Sequence, residues 1–365
     1  MVGRARPVDE REFLPWSRAM ERALYGPAGF YRARGGPAAH FRTSAHASPL
    51  FAAAILRLLL ETDEALGRPG ELALVDVGAG RGELLAAVRE RLADEPVLAR
   101  RLRLVAVEVA ERPDGLAPEI EWLDAPPAHV TGLLVANEWL DNVPCDVVET
   151  APEGWRTVEV AADGVERLGP APDADQQAWL SAWWPSPQDA DGSSGDFGPA
   201  RAELGPARDE AWRQAVSTLD RGVAVAIDYA HARASRPPFG TLTGYAQGRQ
   251  VPPIPDGSCD ITAHVALDAC GAAVHADWTV HGTQREVLHS LGITGGRPDL
   301  ALASSDPRGY LRALSQASAA AELTDPGGLG GFGWLAQGVA VPMPRSLAHL
   351  VEAQPQLQTR PRSQT

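Results

Sequence analysis

A short apolar run that ends in a glycine-rich turn constrains the fold of this chain more than any other segment. The run Leu72–Val77 has the length of a buried strand, and the sequence GAGRG follows it at 78–82. Apolar residues then recur at helical spacing from Glu83 to Ala93, so the segment predicts a strand, a tight turn and a helix. Glycines in such a turn permit positive φ angles and close approach of a ligand to the backbone. The start of the helix adds free N–H groups and a positive dipole end.

Four further apolar runs predict a parallel sheet around this unit. They lie at Leu104–Val109, Ile120–Leu123, Leu133–Ala136 and Val223–Ile227. Continuous apolar runs are typical of strands that are buried on both faces, and strands that alternate with helices form parallel sheets. The predicted fold class is therefore α/β, with a doubly wound sheet.

The remaining segments predict the domain organisation. We expect an N-terminal helical segment at 1–66, a main domain at 67–350 with an insertion at 146–210, and a flexible tail at 351–365. The insertion contains Asp163-Gly164 between two short alternating runs, which predicts a hairpin, and a Pro-, Gly- and Ser-rich stretch at 185–206, which predicts a mobile loop. Other expected elements are helices at Pro49–Leu66, Thr262–Val274 and Arg285–Leu291 and strands at Trp278–His281 and Trp334–Val339.

Composition excludes several classes of function. The chain has 365 residues and a formal net charge of −14, and all its basic residues are arginine. Nucleic-acid-binding proteins usually carry a basic surface, so nucleic acid is not the expected partner. The absence of lysine rules out a Schiff-base enzyme and a phosphate-binding loop that requires lysine.

Cysteine usage and hydropathy favour the cytoplasm. Cys145, Cys259 and Cys270 lie far apart without a CxxC pair, so neither a disulfide framework nor a metal site is expected. The first residues lack the apolar core of a signal peptide, and no apolar stretch has the length of a membrane span. We therefore expect a cytoplasmic protein without a membrane segment.

The spacing of the glycines favours S-adenosyl-L-methionine (SAM) over a dinucleotide as ligand. Dinucleotide-binding turns prefer G-x-G-x-x-G, whereas Gly78, Gly80 and Gly82 follow G-x-G-x-G. Asp76, at the end of the strand, can hold the loop and attract a cationic ligand. A strand–helix turn without a ligand is the alternative interpretation of this segment.

Two further acids lie at the ends of predicted strands. Glu108 can accept hydrogen bonds from both ribose hydroxyls, but a dinucleotide enzyme places an acid similarly. Asp124 can bond the adenine amino group, or it can be a turn former. A solvated carboxylate at the end of a strand is the alternative for Glu108.

An acidic turn follows the fourth strand and carries the candidate catalytic residues. Asn137, Glu138 and Asp141 are expected at the carboxyl edge of the sheet, where open α/β sheets bind their ligands. Asn137 would contact the cofactor. Glu138 and Asp141 could hold a guanidinium and orient it for attack on the methyl group. Capping of the next helix by Asn or Asp is the alternative.

The order of these motifs resembles the MidA-like family of SAM-dependent methyltransferases, which includes mitochondrial assembly factors for respiratory complex I. The motifs that carry the resemblance are MERALYGPAGFY at 20–31, FRTS at 41–44, SPLF at 48–51, the glycine loop, the turn at 136–144, AIDY at 226–229, TLTGY at 241–245 and GSCDITAHV at 257–265. The glycine loop is specific only to a superfamily, whereas DITAHV at 260–265 is much more specific.

The sequence departs from the family pattern at three places. Ala39-His40-Phe41 stands where the family has Gly-Asp-Phe, which removes an acid expected near the cofactor. Asp141-Asn142-Val143-Pro144 replaces Asp-Ala-Leu-Pro, and Tyr229-Ala230 replaces Tyr-Gly. These departures affect the expected catalytic details more than the fold.

The resemblance implies a class I methyltransferase fold, Rossmann-like, in which the N-terminal helices and the insertion cover the cofactor SAM. It implies that Thr43 and Ser44 close over the cofactor and that Asp260 and His264 lie by the active-site face. Asp228, Tyr229, Asp260 and His264 could bind the substrate or anchor loops.

The expected activity is methylation of an arginine side chain on a partner protein, because eukaryotic relatives are linked to arginine dimethylation. The main alternative is a catalytically silent, SAM-binding assembly factor or scaffold. A nicotinamide-dependent oxidoreductase is the third.

Overall fold

The computed structural model describes residues 11–32, 49–184, 199–354, 356 and 358–359, which form helices and mostly short strands. The strands are β1 (Phe13–Pro15), β2 (Leu72–Val77), β3 (Leu102–Val107), β4 (Ile120–Leu123), β5 (Val130–Asn137), β6 (Val147–Ala151), β7 (Gly154–Ala161), β8 (Glu166–Leu168), β9 (Arg201–Glu203), β10 (Leu219–Asp228), β11 (Thr243–Ala246), β12 (Arg249–Val251), β13 (Asp260–Thr262), β14 (Trp278–Thr283), β15 (Gly333–Val339) and β16 (Gln358–Thr359). The α-helices are α1 (Trp16–Tyr25), α2 (Pro49–Ala65), α3 (Glu83–Arg91), α4 (Pro96–Ala99), α5 (Ala174–Trp183), α6 (Pro206–Val216), α7 (Leu267–Ala272), α8 (Gln284–Ser290), α9 (Leu300–Ser305), α10 (Pro307–Leu323) and α11 (Arg345–Ala353).

Residue contacts divide the chain into two compact units, each built from several segments. In the described residues the smaller unit comprises 11–32, 144–184, 199–204 and 237–263. The larger unit comprises 49–143, 205–236 and the residues from 264 onward. The N-terminal segment 1–66 is therefore shared between the units, since α1 belongs to the smaller one and α2 to the larger one.

The larger unit is built on an eight-stranded sheet in the described part of the chain. Its strand order is β16-β14-β15-β10-β5-β2-β3-β4. The five strands from β10 to β4 pair in parallel, whereas β15, β14 and β16 are antiparallel additions at one side. The chain runs outward from β2 to β4 and then returns to β5 on the other side of β2. The topological switch point, where such sheets bind ligands, therefore lies between β2 and β5.

Helices cover both faces of this sheet. One face packs against α2, α3, α8 and α11, with Leu74 and Leu133 fully buried between them. The other face packs against α6 and α7, with Val75 and Leu134 fully buried. Side chains of a strand alternate between the faces, so burial on both faces explains the continuous apolar runs. This arrangement confirms the predicted class I, Rossmann-like α/β fold.

The smaller unit consists of α1 and α5 with two antiparallel sheets. The first sheet has the path β1-β7-β6-β9, with β8 paired to β7 in the predicted hairpin. The second has the order β12-β11-β13. Side-chain hydrogen bonds tie α1 to the first sheet: the indole of Trp16 donates to Glu166 over 2.8 Å, and the Ser17 N–H donates to Asp146 over 3.0 Å.

Three expectations for the secondary structure were wrong in part. Residues 201–203 of the predicted loop 185–206 form β9, while 185–198 lie outside the described residues. The helix expected from Thr262 to Val274 is confined to α7, because Thr262 ends β13. In the predicted tail, α11 continues to Ala353 and β16 pairs with β14. No helix in the described ranges combines the length and apolar character needed to cross a lipid bilayer.

Candidate functional site

Polar side chains gather where β2, β3 and β5 end, at the switch point of the large sheet. Asp76 precedes the last residue of β2, Glu108 follows β3 directly, and Asn137 ends β5. The alternation along each strand places these three side chains on the face that α2 and α3 cover. The structure therefore brings together three of the residues predicted to bind the cofactor.

The glycine loop between β2 and α3 has the backbone that its sequence requires. Gly78, Gly80 and Gly82 all have positive φ, at 73°, 58° and 81°. A Cβ at Gly78 would come within 2.8 Å of the Trp139 side chain, so only glycine lets this indole lie against the loop. Among the described residues, a Cβ at Gly80 would have only a Glu83 carboxylate oxygen within 4 Å, at 3.6 Å. The described part of the chain therefore leaves room beside Gly80.

Glu108 holds the glycine loop through backbone amides. Its Oε2 accepts a hydrogen bond from Gly80 N at 3.0 Å, and its Oε1 accepts one from Ala110 N at 3.1 Å. Burial raises the pKa of the Glu108 carboxyl, while these backbone hydrogen bonds act in the opposite direction. A carboxylate at this position can exchange a backbone partner for the hydroxyl groups of a ligand.

Asp76 is an acid in a strongly desolvated position. Its residue surface is only 4% exposed. Burial, with the nearby charges of Glu83 and Glu108, raises the pKa of Asp76 from 3.8 to about 8. Three carboxyl groups thus surround the glycine loop, and a cation beside them would favour their ionised forms.

Asn137 and Glu138 form the start of the acidic turn after β5. The Asn137 Nδ2 donates to Glu138 Oε1 over 3.1 Å, which fixes the orientation of the amide. The Asn137 Oδ1 is buried and accepts no hydrogen bond from the described residues. Glu138 has a φ of 53°, a left-handed conformation that costs a residue with a side chain about 1 kcal/mol or more. Its own N–H donates to Ile227 O over 2.8 Å, so β10 holds this conformation.

Asp228, at the end of β10, anchors the continuation of the same turn. Its Oδ2 accepts hydrogen bonds from Leu140 N at 2.9 Å and from Asp141 N at 3.1 Å. Burial, followed by the charge of Asp141, raises the pKa of Asp228 well above its ordinary value. These contacts are those of a loop anchor. Asp141 itself is buried, with 5% of its surface exposed.

The other candidate residues lie in different surroundings. Tyr229 stacks on the ring of His264, with ring centroids 5.4 Å apart, and is tilted against Phe332 at 4.2 Å. Asp124 is exposed on the loop after β4. Asp260 belongs to the smaller unit, where the Tyr31 hydroxyl donates to it over 2.9 Å. Thr43, Ser44 and the departure at 39–41 lie outside the described residues.

Sequence reasoning missed two residues that shape the site. Trp139 lies inside the acidic turn, and its contact with Gly78 follows from the neighbouring ends of β2 and β5. Arg208 lies in the first turn of α6 and is only 2% exposed, although arginine is normally a surface residue. Helical spacing places Arg208 on the same face as the buried Trp212 and Val216, unlike Arg213, the other and exposed arginine of this helix.

Comparisons with known proteins place this geometry in context. A family model described as "Putative S-adenosyl-L-methionine-dependent methyltransferase" matches residues 54–284. A Burkholderia thailandensis protein, described as a methyl transferase candidate and crystallised with S-adenosyl-homocysteine, is 28% identical to this chain. The match covers 92% of this chain and 90% of that one, with a TM-score of 0.72. A native crystal structure of an uncharacterised protein from the same organism matches at 28% identity, the same coverage and a TM-score of 0.71. No curated protein matches the sequence.

Proposed function

The chain belongs to the MidA-like family of SAM-dependent methyltransferases, and on that premise we propose that it methylates an arginine side chain of a partner protein. Its cofactor is SAM, which supplies a methyl group already activated on a sulfonium. The acceptor is the proposed part. The proposal of an arginine acceptor rests on the acidic turn, because this turn places a fixed amide and carboxylates beside the glycine loop.

The residues of the site fit a cationic cofactor with a sugar and an amino-acid part. The open side of Gly80 leaves room for a ligand against the loop backbone. Glu108 has carboxylate oxygens that suit ribose hydroxyls, Glu83 adds negative charge beside the loop, and a cationic ligand would favour the ionised form of Asp76. The buried Asn137 Oδ1 is an acceptor for a ligand N–H group. The match to a structure that binds S-adenosyl-homocysteine supports the same assignment.

A guanidinium group suits the acidic turn better than a neutral acceptor does. Glu138 places a half-buried carboxyl group at the start of the turn, whereas the buried Asp228 anchors the turn through the N–H groups of Leu140 and Asp141. Paired carboxylate oxygens bind a guanidinium through two parallel N–H···O hydrogen bonds. Glu138 is half-buried and held in a left-handed conformation, so its side chain is the one presented for such a contact.

In this proposal the chain promotes methyl transfer mainly by orienting the reacting groups. Glu138 would orient the acceptor nitrogen and take up the proton that the guanidinium loses as the methyl group passes from the sulfonium sulfur to that nitrogen. Asn137 fixes Glu138 through its Nδ2 hydrogen bond. Orientation alone lowers barriers substantially when reacting atoms are held in contact. A cytoplasmic location is part of the proposal, and it is supported by three cysteines that are buried without disulfides.

Replacement of Glu138 by glutamine is expected to lower methyl transfer about tenfold to a hundredfold while SAM affinity changes little. Glutamine keeps the size of the side chain but loses the charge that pairs with a guanidinium. The assay incubates the purified protein with radiolabelled SAM and extract of cells from which the gene has been deleted. Acid hydrolysis then shows whether label resides in methylarginine, and calorimetric titration gives SAM affinity.

The matched control is Glu119→Gln, since Glu119 is an exposed carboxylate that pairs with Arg89. This variant should behave as the unchanged protein. Label in methyllysine or in an ester would contradict the arginine assignment. SAM binding without transfer to any protein would favour the scaffold alternative instead.

A further inference from the structure

We propose that Arg208 is a positioning residue that fixes the acidic turn against the segment before α7 and thereby shapes the SAM site. This inference rests on the proposed function, since it concerns the same turn. Arg208 does not need to touch the cofactor or the acceptor to act in this way. It would act through the backbone of the turn that carries Asn137 and Glu138.

The contacts of Arg208 join two separate segments of the larger unit. Its Nη2 donates to Asp141 O over 2.8 Å, and its Nε donates to Val143 O over 3.2 Å. Its Nη1 donates to His264 O over 3.0 Å. All of these acceptors are main-chain carbonyls, so the guanidinium fixes backbone rather than a neighbouring side chain.

Asp228 and Arg208 hold the same turn in complementary ways. The Asp228 carboxylate accepts from the N–H groups of Leu140 and Asp141, whereas Arg208 donates to the carbonyls of Asp141 and Val143. The turn is therefore fixed through both kinds of backbone group. Its first two residues are Asn137, which ends β5, and Glu138, whose N–H donates to Ile227 O of β10.

The charge of Arg208 also acts on the Asp228 carboxyl. The Asp228 carboxyl is faced by Asp141 and Glu138 from the turn, by Arg208 from α6 and by Cys270 from α7. Arg208 is the positive group among them, and its charge acts to lower the pKa of Asp228. Loss of that charge should raise the pH at which Asp228 takes up a proton and weakens its hold on the turn.

The test compares SAM binding by Arg208→Met, Arg208→Lys and the unchanged protein between pH 6 and 9, by calorimetric titration. Arg208→Met should bind SAM about tenfold to a hundredfold more weakly, because three charge-assisted hydrogen bonds are lost. The pH below which affinity falls should also move upward. Arg208→Lys keeps the charge but not the three-way contact, so affinity should fall while the pH dependence stays near that of the unchanged protein.

The control is Arg213→Met on the same helix, since Arg213 is exposed and pairs with Glu210. A residue that merely stabilises the fold would lower the melting temperature in circular dichroism without changing affinity or its pH dependence. That result in either Arg208 variant would overturn the inference. If Arg208→Met does not fold, Arg208→Lys decides alone, and wild-type SAM affinity in it refutes the proposal. Failure of the unchanged protein to bind SAM would instead refute the proposed function.

Discussion

Replacement of Gly80 by arginine is expected to abolish SAM binding and leave the protein folded. Gly80 has a φ of 58°, and a Cβ there would have only Glu83 within 4 Å among the described residues. A side chain at this position would fill the volume that we assign to the cofactor. Affinity should fall by at least about a hundredfold, equivalent to about 3 kcal/mol or more. Calorimetric titration with SAM measures the effect.

The control variant Gly67→Arg distinguishes the loss of the SAM site from the effect of backbone strain. Gly67 also has a positive φ, of 79°, and no atom of the described ranges would lie within 4 Å of a Cβ there. It precedes β2, whereas the glycine loop follows that strand. Both variants should lose about 1–2 kcal/mol of stability from the left-handed conformation. SAM affinity should be retained only in Gly67→Arg, and equal affinities in the two variants would place the cofactor elsewhere.

Replacement of Asp76 by asparagine is expected to remove a large part of the pH dependence of stability. The pKa of Asp76 is raised by burial from 3.8 to about 8 in the folded protein. Between these values the folded state keeps a proton that the unfolded state releases, so stability is lost as pH rises from about 4 to about 8. This one group accounts for a loss of about 5 kcal/mol over that interval. Asparagine has no such proton, so the variant should not show this loss.

Urea unfolding at several pH values gives the free energy of unfolding for both proteins. As pH rises toward 8, the free energy of unfolding of the variant should increase relative to that of the unchanged protein. Asp220→Asn serves as control, because Asp220 is exposed at 56% of its side chain and should leave the pH dependence unchanged. A difference that does not vary with pH would show that Asp76 is ionised in the folded protein throughout.

The large sheet could be predicted because burial on both faces leaves a simple pattern. The run predicted at Leu72–Val77 is β2 without change, and those predicted at Val223–Ile227 and Trp334–Val339 lie within β10 and β15. The helix α10 left no comparable signal. It is rich in alanine and serine and buries only Ala320 and Leu323.

The helical preference of one segment was overridden by hydrogen bonds to a distant part of the chain. The residues after Thr262 favour a helix by composition, but Val265 N donates to Tyr229 O over 2.8 Å and its carbonyl accepts from His231 N. This extended pairing at the end of β10 delays the start of α7. Tertiary hydrogen bonds of this kind cannot be derived from the segment alone.

Within the site, the polar groups at strand ends could be predicted from the sequence, but the residues that hold the neighbouring backbone in place could not. Asp76, Glu108 and Asn137 follow apolar runs, and the rule for ligands at the carboxyl edge brings them together. Arg208 lies 65 residues after Val143, whose carbonyl it contacts. The spacing of Arg208 from Trp212 and Val216 indicates that it lies on the buried face of α6, but the carbonyls that it contacts depend on how α6 packs in the fold.

The position of β15 affects how the chain is made on the ribosome. β15 lies between β10 and β14 in the sheet and pairs with both, although it is among the last elements to be synthesised. Each of those strands therefore has an open edge from its own synthesis until β15 emerges. At typical translation rates the interval for β10 is on the order of ten seconds. Open strand edges pair readily with other chains, so this interval is when nascent copies are most exposed to misassembly.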